Sequence, residues 1–195
     1  MAALTALREA GPGRVALEVD GRPWRTVPAA VVAGAGLAEG VELDRPTLRR
    51  VRSELARGKA LGVAGRALAR RDLSTQELAG RLARAGVAPA VAEEVREGLV
   101  AAGAVDDERY ARTAAESLAR RGWGDAAIEA RLQGAGVGRE TVREAIAGLD
   151  PEAERARALT AGERDPRRAA ARLGRRGFSR ESVEECLGGA LDWDA

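Results

Sequence analysis

The chain has 195 residues, 32 basic against 30 acidic, with 45% hydrophobic and only 3% aromatic residues. It has no histidine and one cysteine, Cys186, which excludes His-dependent catalytic triads, His-ligated metals, an internal disulfide and a cysteine cluster. So few aromatics require a core of Ala, Leu and Val, which favours close-packed helices over strand sandwiches. A lone thiol fits a reducing compartment. No charged leader with a cleavage site is evident, and the longest weakly apolar stretch, residues 27–38, is too short for a bilayer. The expectation is a soluble cytoplasmic protein that makes no membrane contact and is not an enzyme.

In chain order, Val15, Leu17 and Val19 alternate, Asp20-Gly21 follows, and Trp24 and Val27 come next. Alternation around Asp-Gly predicts a β-hairpin with a tight turn, which must lean on neighbouring helices. Pro28 to Ala35 reads as a short helix, and Gly34, Gly36 and Gly40 mark loops. Asp44 caps a helix over Arg45–Arg57 with Pro46 in its first turn. From Lys59, the only lysine, the punctuation becomes regular, with helix starts at Ser74, Pro89, Asp106, Asp125, Gly138, Asp150, Asp165 and Ser179. Ser74-x-x-Glu77 is a capping box, and Asp150-Pro151 and Asp165-Pro166 each combine a cap with proline at the first helical position. With the helix before Ser74 this makes about nine helices of ordinary length.

These helices repeat. Leu68-Ala69-Arg70-Arg71 returns 50 residues later as Leu118-Ala119-Arg120-Arg121, and Arg81-Leu82 and Gly86-Val87 match Arg131-Leu132 and Gly136-Val137. A further 41 residues on stand Arg172-Leu173 and Gly177-Phe178, so the shared kernel is Arg-Leu-x-x-x-Gly-(Val/Phe). The fold expected is all-α: three tandem three-helix repeats in an elongated array, at 58–105, 106–149 and 150–195, behind an N-terminal extension over 1–57.

Phosphate-binding motifs fail. Gly58-Lys59 is followed by Ala60 and lacks the first P-loop glycine, and Gly34-x-Gly36 has its third glycine one place late. Asp106-Asp107-Glu108 reads as a helix N-terminus, where carboxylates cap open N–H groups and oppose the dipole, rather than as a metal site. No catalytic, cofactor or metal residue is assigned. The arginines carry the strongest functional signal. Residues 164–180 hold seven, Arg164, Arg167, Arg168, Arg172, Arg175, Arg176 and Arg180, against Asp165 alone. On a helix Arg168, Arg172, Arg175 and Arg176 form one stripe. Such a stripe suits a nucleic-acid backbone or an acidic protein surface, and equally a solvated face pairing with Glu181, Glu184 and Glu185. The repeated Arg81 and Arg131, with Arg172, form a second candidate binding set, unless their stems merely cover the edge of the core. Trp123 and Phe178 each follow Arg-Arg-Gly and are expected in the core rather than stacked on bases. Trp193, in an acidic tail, has no assigned role.

From about Gly58 to Leu191 the chain resembles the RecX family of bacterial recombination regulators. The resemblance rests on Gly103-x-Val105-Asp106-Asp107-Glu108-Arg109-Tyr110-Ala111, with Arg71-x-x-Ser74-x-x-Glu77-Leu78-x-x-x-Leu82, Arg121-Gly122-Trp123-Gly124 and Ile128-x-x-x-Leu132-x-x-x-Gly136-Val137 around it. The third repeat is its least family-like part, and residues 1–57 match only loosely. The resemblance implies an all-helical protein of three tandem three-helix repeats without enzyme activity; no cofactor is expected, and a monomer is expected because the array can cap itself. Such proteins bind RecA, lodge in the groove of its filament on single-stranded DNA, and modulate, usually inhibit, filament growth, ATP hydrolysis, strand exchange and coprotease activity. Within the family motif, Asp106, Asp107, Tyr110 and Ala111 are expected to be mainly structural, with Asp106 capping a helix and Tyr110 packing between helices. The rival readings are a stand-alone helical DNA-binding module and a helical-repeat scaffold for another protein.

Overall fold

Asp20 and Gly21 both take positive φ, 49° and 76°, as a two-residue type I′ hairpin turn requires. The turn joins β2 (Arg14–Val19) to β3 (Arg22–Pro28) in the expected hairpin, and Val19 pairs with Arg22 beside it. A further strand, β1 (Leu4–Glu9), pairs antiparallel with β2, so the hairpin is part of a three-stranded sheet of order β1-β2-β3. Its register shifts between Leu4 and Ala6, and such an irregularity breaks the period-2 pattern that marks a strand in sequence. The structure is a computed structural model that describes residues 2–188; the end of the third expected repeat and Trp193 lie outside the described residues.

Leu4, Leu17 and Val27 of the sheet meet Val31 and Ala35 beside them and Val51 on the following helix, which gives the sheet the helical support it needs. The short helix α1 spans Ala29–Gly34. Asp44 then accepts the Thr47 N–H at 2.8 Å and caps α2 as expected. However, α2 does not stop at Arg57; it runs unbroken over Arg45–Leu68 and crosses the expected division between 57 and 58. Gly58, Gly62 and Gly65 each weaken a helix by about 1 kcal/mol relative to Ala. Burial of Ala60, Ala64 and Ala67 on one face favours continuation.

The remaining helices are α3 (Thr75–Arg84), α4 (Pro89–Ala101), α5 (Asp107–Arg120), α6 (Asp125–Gly134), α7 (Arg139–Ala147), α8 (Glu152–Thr160), α9 (Pro166–Arg175) and α10 (Arg180–Leu187). Their starts lie within two residues of those expected. Asp165 caps α9 with Pro166 in its first turn, as expected. At α8 the cap position belongs to Pro151 rather than Asp150, and at α6 it belongs to Gly124, with Asp125 the first helical residue. Among the described residues no helix is long and apolar enough to cross a membrane.

The repeated kernel is a helix ending. Leu82, Leu132 and Leu173 are buried, and Gly86, Gly136 and Gly177 follow at φ 68°, 82° and 77°. The next residue sends its N–H back to that leucine's carbonyl: Val87 to Leu82 at 3.1 Å, Val137 to Leu132 at 3.1 Å, Phe178 to Leu173 at 3.2 Å. This is the Schellman arrangement, in which a left-handed glycine turns the chain and an apolar residue folds back on the last helical turn. Val87, Val137 and Phe178 are accordingly buried.

The chain divides into two compact units, residues 2–71 with 78–101, and residues 72–77 with 102–188. In the first, α2 packs against α1 and α4. In the second, α5, α6 and α7 enclose Ala111, Ala115, Ile128, Leu132 and Val142, while α8, α9 and α10 enclose Ala156, Leu173, Phe178 and Val183.

Candidate functional site

The second unit is held together by one polar junction built twice. In the first copy, the Ser74 hydroxyl donates to the Ala135 carbonyl at 2.5 Å, next to the kernel glycine Gly136. The next residue, Thr75, donates its N–H and its hydroxyl to the two Asp107 carboxylate oxygens at 2.8 and 2.7 Å. In the second copy the Gly124 N–H donates to the Arg176 carbonyl at 2.9 Å, next to the kernel glycine Gly177. Its next residue, Asp125, donates its N–H to Glu152 at 2.6 Å. Asp107 and Glu152 are each the first residue of a first-of-three helix, α5 and α8. Gly124 and Asp125 stand 50 residues after Ser74 and Thr75, so the repeat in the sequence is a repeat of contacts.

The second junction carries more charge. Glu152 is 8% exposed, and its other oxygen accepts from the Ser179 N–H at 3.1 Å and hydroxyl at 2.6 Å. Burial alone would raise its carboxyl, but the hydrogen bonds from Ser179 and Asp125 together outweigh burial and hold it below the ordinary carboxylate range. Asp125 goes the other way. Burial raises its carboxyl, and the Glu152 charge adds to that, against the opposing pull of Arg155. The Arg155 guanidinium, 11% exposed, pairs with Asp125 and donates to the Trp123 carbonyl at 3.0 Å and, through Nε, to that of Asp150 at 2.9 Å.

Asp106 caps α5 by accepting the Arg109 N–H at 2.9 Å, a bond that also lowers its carboxyl. Tyr110 packs on the α5–α7 core and Ala111 lies within it. Thus the motif Asp106, Asp107, Tyr110 and Ala111 is spent on a cap, a junction and a core.

The arginine stripe splits. Arg176 is half-buried and donates to the Arg121 carbonyl at 2.6 Å and the Gly122 carbonyl at 3.3 Å, where α5 ends. Its guanidinium also lies 5.4 Å from the Trp123 ring, which Arg131 covers at 3.7 Å. Trp123 itself packs on the α5–α7 core. Arg168, Arg172 and Arg175 remain exposed on α9, with Arg167 beside them. Arg168 is 79% exposed and makes a 3.4 Å ion pair with Asp165 at the helix start. The α10 carboxylates do not neutralise this face: Glu184 pairs with Arg180 at 2.6 Å and Glu185 with Arg157 at 2.8 Å. The kernel arginines differ in surroundings. Arg81 is half-buried, whereas Arg131 and Arg172 are exposed. Glu152 and Arg155 were not singled out from the sequence, Lys59 was weighed there only as the lysine of a failed P-loop, and Ser74 was read only as a cap. The 50-residue offset from Ser74-Thr75 to Gly124-Asp125 was the signal available for the junction.

Among the described residues, no three His, Cys, Asp or Glu side chains gather where a metal could be held. A surface groove of about 580 Å³ runs along α6 and α7, between Asp125, Glu129 and Gln133 on one side and Arg139, Val142 and Ile146 on the other.

Residues 106–146 match the family model for the second three-helix domain of RecX. The chain is similar to the regulatory protein RecX of Chromohalobacter salexigens, with 37% identity over 136 residues, covering 65% of this chain and 90% of that one. It is also similar to the regulatory protein RecX of Deinococcus radiodurans, with 33% identity over 168 residues, covering 81% of this chain and 76% of that one. A crystal structure of regulatory protein RecX superposes with a TM-score of 0.81 at 21% identity, over 97% of this chain and 100% of that one. A RecX structure from Lactobacillus salivarius gives 0.63 at 14% identity, over 69% and 96%. At that identity the two structures speak to fold alone. The curated relatives, each covered over three quarters of its length or more, decide the matter, and the chain belongs to the RecX family.

Proposed function

We propose that this protein is a cytoplasmic, non-enzymatic regulator that binds RecA and its filament on single-stranded DNA and inhibits recombinase, ATPase and coprotease activity. Membership of the RecX family is the observation that carries this reading. The repeats that dock are those at 58–105, 106–149 and 150–195, the first sharing α2 with the N-terminal extension. The contact chemistry comes from Arg168, Arg172 and Arg175, whose guanidinium groups face solvent with a single carboxylate partner, Asp165, among the described residues. Guanidinium groups grip phosphate or carboxylate in bidentate fashion. Arg131 and Arg176 lie against the Trp123 ring and act in the fold, while Arg81 is kept as a further contact candidate.

The test is RecA's ATPase on single-stranded DNA, titrated with this protein at two salt concentrations. The expected result is inhibition well below one molecule per RecA subunit. Replacing Arg168, Arg172 and Arg175 with Gln together is expected to weaken binding. If all three touch phosphate, the slope of log affinity against log salt falls by about 2. Unchanged affinity and slope in that variant would remove the arginine face from the proposal. An unchanged ATPase at amounts where the naked strand is bound would favour a stand-alone DNA-binding module. No effect on RecA and no DNA binding would favour a scaffold for another protein.

A further inference from the structure

The junction has three parts, and each has a counterpart at the ends of the series. The first part is a carbonyl at the close of a second helix, that of Ala135 or Arg176. The second is the donor that reaches it, Ser74 or Gly124. The third is an acidic first residue, Asp107 or Glu152, which takes the N–H of Thr75 or Asp125. Among the described residues two junctions serve three repeats, so one end carries an acceptor turn, and the other a helix opening, that no neighbouring repeat engages.

At the first end the carbonyl corresponding to Ala135 and Arg176 is that of Ala85, which precedes the kernel glycine Gly86. It accepts from Lys59 Nζ at 2.8 Å. This is the only lysine in the chain. Its long stem brings a donor from α2 to a carbonyl that elsewhere is reached by a neighbouring repeat. Fifty residues before Asp107 stands Arg57, in the middle of α2, where it pairs with Glu94 at 3.3 Å. The acid of the junction is thus replaced by a cation. At the last end, the residues corresponding to Ser74-Thr75 and Gly124-Asp125 are Asp165-Pro166. Pro166 has no N–H to donate. The Asp165 side chain turns back and accepts the Arg167 N–H at 2.9 Å.

We propose that Lys59, Arg57 and Pro166 close the two ends of the interlocking series to a second copy of this chain. Each repeat ending is a ready-made acceptor for a helix opening, and each opening a ready-made donor. Left unaltered, the last opening of one copy would fit the first ending of the next. That contact is head-to-tail, so its repetition would build rings or open fibres rather than a two-fold dimer. Terminal repeats of stacked arrays generally need an altered outer face for this reason. Here Lys59 falls on the carbonyl, Arg57 on the acid, and Pro166 on the N–H that the acid would take.

The experiment measures molar mass against concentration by sedimentation, on the full chain. One variant opens both ends: Arg57→Asp, Lys59→Ala, Asp165→Ser and Pro166→Thr together. Its mean mass is expected to climb with concentration without settling at a dimer, while the parent's stays constant over the same range. Two half-opened variants, Arg57→Asp with Lys59→Ala, and Asp165→Ser with Pro166→Thr, keep the test alive if the fourfold change unfolds. Each alone is expected to match the parent, and their equimolar mixture to form 1:1 dimers. A folded fourfold variant whose mass stays flat overturns the proposal, as does a mixture of folded half-opened variants that does not associate. A parent that itself grows without limit overturns it too.

Discussion

The two junctions of the second unit have the same backbone plan and opposite chemistry. At the first, a hydroxyl bridges the gap: Ser74 reaches Ala135 through its side chain, and neutral Thr75 offers both its donors to Asp107. At the second, the backbones approach directly, with the Gly124 N–H on the Arg176 carbonyl, and an acidic residue, Asp125, faces the acidic Glu152. The first junction therefore needs no counter-ion, whereas the second requires Arg155. A repeated contact in one chain is thus met once with side-chain reach and once with close approach and charge compensation.

Breaking the close approach should have the largest effect. A Cβ on Gly124 would sit inside the contact distance of the Gly177 carbonyl and the Phe178 nitrogen, both backbone. Gly124→Ala is expected to cost about 3 kcal/mol, the upper range for overpacking. Ser74→Ala, at the matching place, removes two hydrogen bonds of its hydroxyl, the one it donates to Ala135 and the one it accepts from the Glu77 N–H, and should cost about 2 kcal/mol. Equilibrium urea unfolding of both variants tests the contrast, and equal losses would erase it.

Removing the counter-ion comes next. Arg155→Met leaves Asp125 and Glu152 facing each other and should cost about 2 kcal/mol near neutral pH, below the figure for a fully buried pair because Asp125 is partly exposed. That loss should shrink on acidification, since protonating Asp125 removes the need for Arg155. A deficit constant from neutral to acid pH would count against the charge argument.

A smaller loss is expected at the first junction. Asp107→Asn keeps the shape but leaves the Thr75 N–H and hydroxyl with a neutral partner, for about 1.5 kcal/mol. The midpoint of chemical unfolding reads it.

The two carboxylates at the second junction also set opposite pH slopes. Glu152 is held below its unfolded value, so its contribution is present above that value and lost as pH falls through the folded one. Asp125 is held above its unfolded value, so its contribution is present below that value and lost as pH rises through the folded one. Glu152→Gln should therefore lose stability at neutral pH and change less than the parent on acidification, which thermal melts across the carboxylate range would read.

The smallest effect on stability belongs to the exposed face: Arg172→Gln with Arg175→Gln should stay within about 0.5 kcal/mol of the parent, checked by the same melts. A larger loss would mean that these arginines serve the fold, as Arg176 does.

Much of this was legible in the residues. Asp20-Gly21, Ser74, Asp106 and Asp165-Pro166 act locally, so a few residues of sequence settle their geometry. The kernel repeat was visible because a Schellman ending needs glycine and an apolar residue at fixed spacing. Strand β1 was not legible, since its irregular register breaks the alternation. The length of α2 was hidden by three glycines whose cost is offset by burial of Ala60, Ala64 and Ala67 on one face. The split of the arginine stripe was hidden as well. Helical spacing puts Arg176 with Arg168, Arg172 and Arg175, but α9 ends at Arg175, and Arg176 follows the turn toward Trp123. Lys59 and Arg155 act on partners 26 and 30 residues away, beyond any local pattern.

The separation of the junction partners bears on how the second unit comes to be folded. Thr75 and Asp107 are 32 residues apart, and Asp125 and Glu152 are 27 apart. Closing loops of such similar size costs nearly the same entropy, since that cost grows only with the logarithm of length. Neither junction is therefore favoured as a starting point by chain length. The Schellman endings within them close over six residues and supply local structure before either loop closes. Folding can thus begin at either junction and spread to the other, and a lesion at one should speed unfolding without removing the other's capacity to nucleate.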